Sequence, residues 1–338
     1  ENYLPWSIKV GDFPESGSLE AQLKFLLGFA ILAPSGHNSQ PWGFKIKNNS
    51  IEFWINKDRA LGKSDPEGRQ TLISLGCALE NLLIAADYYS YKTEIKYFPE
   101  NGTNFAVSAS FQKFVVAKNN PNHLIFSIPK RVSNRGKYTN QAISEKFLEE
   151  AMGVSNDEIE VITVTEKSKI FSLSDITNQA QIEVMDRDFF REELSHYIES
   201  NFTKSKTGMP GFTLGLPSLV SLFASKLIKK VNISRMTAKK DDVLLKKFTT
   251  ALFLVSAKND DKYSWVKTCQ VFEKIWLLAT QNGISFAALA AGVQVDNYYK
   301  KIQEVLGTSL RPLAFSRVGY SKKVARHSPR LSVSEVTK

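Results

Sequence analysis

The sequence predicts an α+β protein made of two related halves. Three observations support this: a helical apolar pattern changes to a strand pattern near Pro41, long apolar helical patterns occur at residues 71–86 and 266–279, and short alternating runs occur in each half. The 338 residues are enough for two units of ~100 to 200 residues each. With 43% hydrophobic and 23% charged residues, the chain can bury a core without disulfides.

The first element is a helix that ends at a polar elbow. Its apolar residues recur in steps of three and four, at Leu19, Leu23, Leu26, Leu27, Ala30 and Ile31. Pro34 ends this helix, and residues 42–46 and 51–55 then alternate as two strands. Residues 33–42 therefore form a helix-to-strand elbow, whose small polar residues can offer backbone N–H groups to a ligand.

The rest of the first half continues with a turn, a helix and strands. The charged loop 57–70 contains Asp65 and Arg69; it is predicted to be a turn, the alternative being a pair between these two residues or a functional role. Residues 71–86 are apolar on more than one face, which predicts a central helix. Strands follow over 93–117, broken at 99–102. Pro121 and Pro129 bracket a linker, so we place the halves at residues 1–128 and 129–338.

The second half opens with a basic segment at residues 130–138. Its predicted helices cover 144–152, 168–185, a following stretch to 198, and 266–279; its predicted strands cover 159–164, 251–257 and 312–319. Cys77 and Cys269 lie in matching helical patterns and are predicted to be buried free thiols. The four histidines are scattered singly, so no metal site is expected.

Residues 203–240 interrupt this pattern. The apolar run 209–228 is twenty residues long, the length of a bilayer span, but it contains two prolines, two glycines and Lys226. We therefore expect no transmembrane segment and interpret 203–240 as a mobile flap, or lid, over a site. Membrane association through this run and its neighbouring lysines is the alternative.

The net charge is +10, from 44 basic and 34 acidic residues. Such a balance is compatible with nucleic acid, an anionic membrane or a phosphate-bearing small molecule. Because the charges are dispersed, no nucleic-acid partner is expected. The chain begins with Glu1; a cytoplasmic location is favoured, and export through a removed signal is left open.

The elbow sequence Ala33-Pro34-Ser35-Gly36-His37-Asn38-Ser39-Gln40-Pro41-Trp42, together with residues 65–69 and 76–82, resembles the nitroreductase family of flavin mononucleotide (FMN) enzymes. The resemblance is to the branch with two nitroreductase-like halves in one chain. It implies a nitroreductase-like fold with a central, mostly antiparallel sheet in each half and helices packed between the halves. Such a chain would be a monomer that acts as a pseudo-dimer around FMN.

The resemblance also implies which residues bind FMN. Arg131 and Ser133 would hold the phosphate, with Ser328 and Arg330 nearby, and Arg135 would lie near the ribityl and pyrimidine edge. The small residues Ala290, Ala291 and Gly292 would face the flavin N5 atom. The elbow residues that would pack against the ring from the other half are Pro34, Ser35, Gly36, His37 and Asn38.

The residues themselves leave alternatives open for several of these roles. In an extended segment Arg131, Ser133 and Arg135 would emerge on one face, but a solvated basic segment has the same pattern. Asn38 and Gln40 would serve equally to hydrogen-bond the backbone at the helix end. A lone loop histidine such as His37 is more often a packing residue than a proton donor.

The internal repeat is incomplete in a way that predicts one flavin site. The first half has the elbow but no Arg-x-Ser-x-Arg motif; the second half has that motif at 131–135 but only residues 153–156 in place of the elbow. Because the resemblance implies that both motifs reach one FMN from opposite halves, we expect a single complete site per chain.

The function expected from the resemblance is hydride transfer from NAD(P)H through FMN to a nitroaromatic, quinone or similar acceptor. No side chain is expected to be catalytic, because the flavin N5 carries the chemistry. No Gly-x-Gly-x-x-Gly motif is present, so a nicotinamide donor would bind transiently. The alternative is an FMN storage or sequestration protein whose flap excludes donors. Neither the physiological acceptor nor the choice of NADH or NADPH follows from the sequence.

Overall fold

The computed structural model describes residues 1–100, 102–114 and 123–338. Within these ranges the chain forms two four-stranded antiparallel sheets, one from each half, which confirms the α+β prediction. The strands are β1 (Trp42–Lys47), β2 (Ser50–Ile55), β3 (Tyr91–Tyr97), β4 (Phe105–Lys113), β5 (Ile159–Val164), β6 (Ile198–Glu199), β7 (Met209–Pro210), β8 (Ala251–Ala257), β9 (Ser285–Ala288) and β10 (Arg311–Gly319). Residues 115–117 of the predicted strand region, and Pro121, lie outside the described ranges.

Each sheet has two central strands between two edge strands. The first sheet has the strand order β1-β2-β4-β3, and the predicted β1–β2 hairpin pairs Trp42 with Ile55 and Phe44 with Phe53. The second sheet has the order β5-β8-β10-β9. Its central strands β8 and β10 are buried along their whole length, as expected for strands covered on both faces.

The helices cover these sheets and fill the space between them. They are α1 (Leu19–Ala30), α2 (Arg69–Tyr88), α3 (Glu145–Met152), α4 (Lys167–Asp186), α5 (Asp188–Tyr197), α6 (Ser218–Ser221), α7 (Ala224–Lys230), α8 (Ser234–Lys247), α9 (Lys262–Gln281), α10 (Ala291–Gln294), α11 (Tyr298–Leu306) and α12 (Val333–Val336). Within the described residues, α2 is the one helix long and apolar enough to cross a membrane, and 72% of that stretch is buried in the fold.

The charged loop before α2 is a turn that starts the helix. The Asp65 carboxylate accepts hydrogen bonds from the backbone N–H groups of Gln70 and Thr71, both at 3.0 Å. Arg69 instead donates to the Gln294 carbonyl in the second half, at 3.0 Å. Asp65 therefore satisfies free donors at the first turn of α2, and Arg69 links the two halves.

The two halves meet where α2 packs on α9. The Cys77 and Cys269 thiols are both free and buried, and the Cys77 Sγ lies 3.5 Å from the Cys269 carbonyl oxygen. The matching helical patterns of the sequence thus face each other across the interface. A Cβ atom on Gly76 would come within 2.3 Å of the Val266 carbonyl oxygen, so the absence of a side chain allows the helices to approach closely.

The C-terminus and the basic segment each pair with a distant strand. Near the C-terminus, Thr337 forms a parallel bridge with Phe44, and the Lys338 N–H donates to the Phe44 carbonyl at 2.9 Å. In the same way, Ser133 forms a parallel bridge with Phe286 of β9. The C-terminal arm of the second half therefore extends the first sheet, and the basic segment extends the second.

Residues 203–240 are more ordered than a loop. They include β7, a 3-10 turn over Gly211–Leu214, and helices α6 and α7; α8 begins at Ser234 and packs on α4. Gly208 and Lys206 contact the elbow. A role for this segment as a lid stays a prediction.

We predict that Gly76→Ala destabilises the protein. The new methyl group must displace the Val266 backbone, which should lower the free energy of unfolding by about 1–3 kcal/mol despite the better helix propensity of alanine. Urea denaturation measures the change. Gly62→Ala is the control, because a Cβ there meets no atom within 4 Å and should change stability by less than about 0.5 kcal/mol. Equal stability of the two variants would contradict the close α2–α9 contact.

Candidate functional site

The elbow adopts an unusual backbone conformation. His37, Asn38 and Gln40 have φ angles of 50°, 56° and 52°, in the left-handed region that side-chain-bearing residues rarely adopt. Such conformations are retained where surrounding contacts fix them, and they cluster at functional sites. The conformation thus marks residues 37–40 as a candidate site.

Side chains of the elbow supply the contacts that fix it. The Asn38 amide donates to the carbonyls of Gly208 at 2.9 Å and Pro329 at 3.0 Å. The Gln40 amide donates to the Lys206 carbonyl at 2.7 Å. Asn38 and Gln40 therefore bond to backbone carbonyls, but these belong to distant segments and not to the helix end that the sequence alternative named. We call residues 205–210, which cover the elbow, the strap.

Two arginines predicted to bind phosphate converge beside the elbow. Arg131 and Arg330 are each only 3% exposed. An Nη2 group of each donates to the Leu32 carbonyl, at 2.8 Å and 3.2 Å, and Arg330 also donates to the Ala33 carbonyl at 3.0 Å. Arg330 Nη1 reaches the Asn38 side-chain oxygen at 2.5 Å. The structure thus brings the elbow, the Arg-x-Ser-x-Arg motif and the C-terminal arginine together.

A buried carboxylate faces these arginines. Glu273 of α9 is fully buried, and its Oε1 lies 3.2 Å from the Nε of Arg131. Burial raises the pKa of Glu273 from 4.5 to about 7, because it outweighs the attraction of Arg131. Two guanidinium groups therefore face one carboxylate that is only partly ionised at neutral pH. Arg131, Arg330 and Glu273, which we call the arginine centre, therefore carry an excess of positive charge.

Several buried polar groups in the segments that meet here lack partners. Within the described part of the chain, buried atoms with no hydrogen-bond partner include Arg330 Nε, Ser133 Oγ, Trp276 Nε1 and His327 Nε2. Unsatisfied buried polar groups are costly and call for an explanation, such as a group that binds there. A phosphate accepts several such bonds and balances the charge, so these residues fit the phosphate of FMN.

Aromatic rings surround the arginines. The Arg131 guanidinium lies 4.6 Å from the Trp276 ring centre, and the Arg330 guanidinium lies 4.7 Å from that of Trp6. Trp6 also stacks on His327 at 4.0 Å and donates its Nε1–H to the Ser328 carbonyl at 2.8 Å. The N-terminal segment therefore covers the arginine centre.

The second arginine of the motif has different surroundings. Arg135 is exposed and donates through Nη1 to the Thr213 carbonyl at 3.4 Å, just beyond the strap. Arg131 points inward instead, so the two arginines do not share one environment as a simple extended segment would give. Between them, the N–H of Asn134 donates to the Phe286 carbonyl at 2.9 Å.

The small-residue segment follows β9, the strand that pairs with Ser133. Ala290 is exposed and Ala291 is buried. A Cβ on Gly292 would lie 3.1 Å from Thr177 Oγ1, so this glycine allows α10 to pack closely on α4. The segment is therefore near the motif along the sheet, and Gly292 also has a packing role.

His37 contacts aromatic residues of α5. Its ring centre lies 6.1 Å from that of Phe190 and 5.6 Å from that of Tyr197. Burial lowers the pKa of His37 to about 4, so the imidazole is neutral at physiological pH. This environment favours the packing interpretation, because a neutral imidazole is a weak proton donor.

Sequence reasoning missed Glu273, Trp276, Trp6 and His327. A carboxylate within the apolar pattern of α9 is unusual, and that departure was the available signal for Glu273. The aromatic residues gave no local signal, because their partners come from opposite ends of the chain.

We predict a pH-dependent stability that Glu273→Gln removes. Because the pKa of Glu273 is higher in the folded than in the unfolded chain, its contribution is fully present below pH 4.5 and is lost as the pH rises towards 7. The free energy of unfolding of the wild type should fall relative to the variant by at most about 3 kcal/mol over that range. Denaturation at pH 4.5 and pH 8 tests this. A constant difference between the proteins would contradict the raised pKa.

Comparison with known proteins was made for the whole chain. No family model matches it. It is similar to "Putative NAD(P)H nitroreductase Rv3131" of Mycobacterium tuberculosis, with 22% identity over 311 residues that cover 91% of this chain and 87% of that protein. It is also 35% identical over 82 residues to "Uncharacterized protein Rv3127" of the same organism, covering 23% and 24% of the two chains.

Solved structures were compared with the fold. The FMN and NADPH-dependent nitroreductase NfnB from Sphigopyxis sp. strain HMH aligns with a TM-score of 0.43 and 15% identity, over 64% of this chain and 97% of that chain. The FMN-dependent nitroreductase NfnB from Mycobacterium smegmatis, in complex with NADPH, aligns with a TM-score of 0.42 and 16% identity, over 63% and 95%.

Proposed function

Similarity over 91% of the chain relates this protein to the nitroreductase family, and on that basis we propose that it binds one FMN between its halves and oxidises NAD(P)H. The observation that carries this proposal is the arginine centre beside the elbow. Two buried arginines face a single carboxylate there, and among the described residues buried polar groups from three chain segments have no hydrogen-bond partner. This arrangement suits a phosphate dianion.

Different residues of this chain would bind different parts of the cofactor. Arg131, Arg330 and Ser133 would bind the phosphate, with Ser328 in the same turn as Arg330. Arg135, at the exposed end of the motif, would lie nearer the ribityl and pyrimidine edge. A cation there would favour negative charge on a reduced ring.

The other predicted residues would shape the ring site. Residues 34–38 would pack against the ring from the first half, and residues 290–292 would present a face without bulky side chains. When bound, FMN supplies hydride exchange between a nicotinamide and an acceptor. Because His37 is neutral near pH 7, protons for the acceptor would come from water or from the acceptor's own surroundings. Nitroaromatic compounds, quinones and similar acceptors are the proposed substrates.

Sequestration of FMN is the second candidate function, favoured by the strap. The strap hydrogen-bonds to Asn38 and Gln40, and α5 packs over His37. A strap that stays closed would hold FMN and exclude a nicotinamide donor. The enzyme and the storage protein therefore differ in access to the site rather than in the residues that bind the phosphate.

Anaerobic stopped-flow mixing distinguishes these functions. The purified protein should show a flavin spectrum with one FMN per chain. If the protein is an oxidoreductase, mixing with NADPH or NADH should bleach the flavin absorbance during the stopped-flow measurement. A flavin that neither donor bleaches would support sequestration. A preparation that takes up no FMN, or that carries two per chain, would reject both functions as stated.

We predict that Ser133→Ala weakens FMN binding without loss of stability. The Ser133 hydroxyl has no partner in the described structure, so its removal should not destabilise the fold, but a hydrogen bond to a phosphate of ~1.5 to 3 kcal/mol would be lost. The dissociation constant for FMN, measured by fluorescence quenching, should rise by roughly 10- to 100-fold.

Ser256→Ala is the matched control. Its hydroxyl in β8 is also buried and has no hydrogen-bond partner among the described residues, yet it belongs to no predicted FMN segment. It should leave the FMN affinity unchanged. An equal loss of affinity in both serine variants, or none in Ser133→Ala, would contradict the phosphate assignment.

A further inference from the structure

Residues 218–231, which contain α6 and α7, present an unusual surface that we call the apolar–basic surface. Six of its large apolar side chains are between 45% and 77% exposed: Leu219, Val220, Leu222, Phe223, Leu227 and Val231. Single exposed apolar residues are ordinary on proteins, but a contiguous group of this kind indicates an interaction site.

The opposite side of the same helices is well packed. Ala224 and Ile228, one helical turn apart, are buried in a cluster with Val184, Met185 and Ile198. Lys229 pairs with Glu192 of α5 at 3.3 Å. The segment is therefore anchored to the protein by its inner side, and its outer apolar side has no partner in the described part of the chain.

The charge of this region is one-sided. Residues 201–240 contain eight basic residues and no acidic ones. Lys226 and Lys230 are exposed beside Phe223 and Leu227, on the outer part of α7. Leucine and phenylalanine flanked by lysine is the pattern by which amphipathic helices lie in the interface of an anionic membrane.

We propose that the apolar–basic surface docks this protein peripherally onto an anionic lipid bilayer. The apolar side chains would enter the interfacial region, and the lysines would contact lipid headgroups. Complementary charge favours this partner over a second copy of the chain, because two copies facing each other would bring their lysines together. The inference concerns docking without a membrane span, and it does not depend on FMN binding.

Docking would place the bilayer near the candidate site. Gly208 of the strap hydrogen-bonds to Asn38, and the chain continues from there through the Gly211–Leu214 turn to α6. The proposed membrane surface is therefore joined to the elbow by a short stretch of the described chain.

Sedimentation with lipid vesicles tests the proposal. The full chain should associate with vesicles of phosphatidylcholine mixed with phosphatidylglycerol about tenfold or more strongly than with phosphatidylcholine alone, and added salt should weaken the association. The double variant Leu222→Ser/Phe223→Ser should lose most of it. Phe171→Ser on α4 is the control, since Phe171 is also exposed but lies outside this surface.

Charge reversal gives a second, independent measurement. Lys226→Glu/Lys230→Glu should abolish the preference for anionic vesicles, whereas Lys92→Glu, an exposed lysine of β3, should reduce it only slightly. Circular dichroism confirms that each variant is folded. No association with anionic vesicles, or association that survives both double variants, would overturn the proposal. A concentration-dependent dimer lost in Leu222→Ser/Phe223→Ser, without vesicle binding, would assign the surface to a second copy instead.

Discussion

The contact between α2 and α9 is the constraint on which the rest of the structure depends. Each helix belongs to one half, and Gly76 allows them to approach to backbone contact. This places Glu273 of α9 in the middle of the molecule, within reach of Arg131. Arg131 also donates to the Leu32 carbonyl of the first half, so the packing of the two halves brings the elbow to this ion pair. The packing of α2 on α9 therefore affects both the interface between the halves and the charge distribution of the candidate site.

The arginine centre is costly for a protein that holds no anion there. Burying two guanidinium groups against one carboxylate leaves charge that the fold does not compensate, and burial holds the pKa values of Arg131 and Arg330 below their usual range. Backbone carbonyls of Leu32 and Ala33 offset part of this cost. A bound anion would balance this excess of positive charge.

The sequence was sufficient to predict those elements whose structure is decided by a local residue pattern. The strands Ile159–Val164 and Ala251–Ala257 and the elbow before β1 follow from periodicity and proline positions. The sequence was insufficient to predict contacts between residues that are distant in the chain. Glu273 meets Arg131 only after the second half has folded, and Trp6 meets His327 only after both ends of the chain have come together. The different surroundings of Arg131 and Arg135 also come from distant partners, because Arg131 contacts Leu32 and Glu273 whereas Arg135 contacts Thr213.

The conformation of the strained elbow depends on the strap, which in our proposal also controls access to the candidate site. Left-handed conformations at His37, Asn38 and Gln40 cost about 1–3 kcal/mol each, and hydrogen bonds must hold them. Those bonds come from the strap and from Arg330, including a bond between the Gly208 N–H and the Asn38 carbonyl at 3.2 Å. Opening the strap would remove part of this support while Arg330 remained. The elbow would then be freer to change conformation when the strap opens, so a ligand that orders the elbow would also bias the strap towards one position.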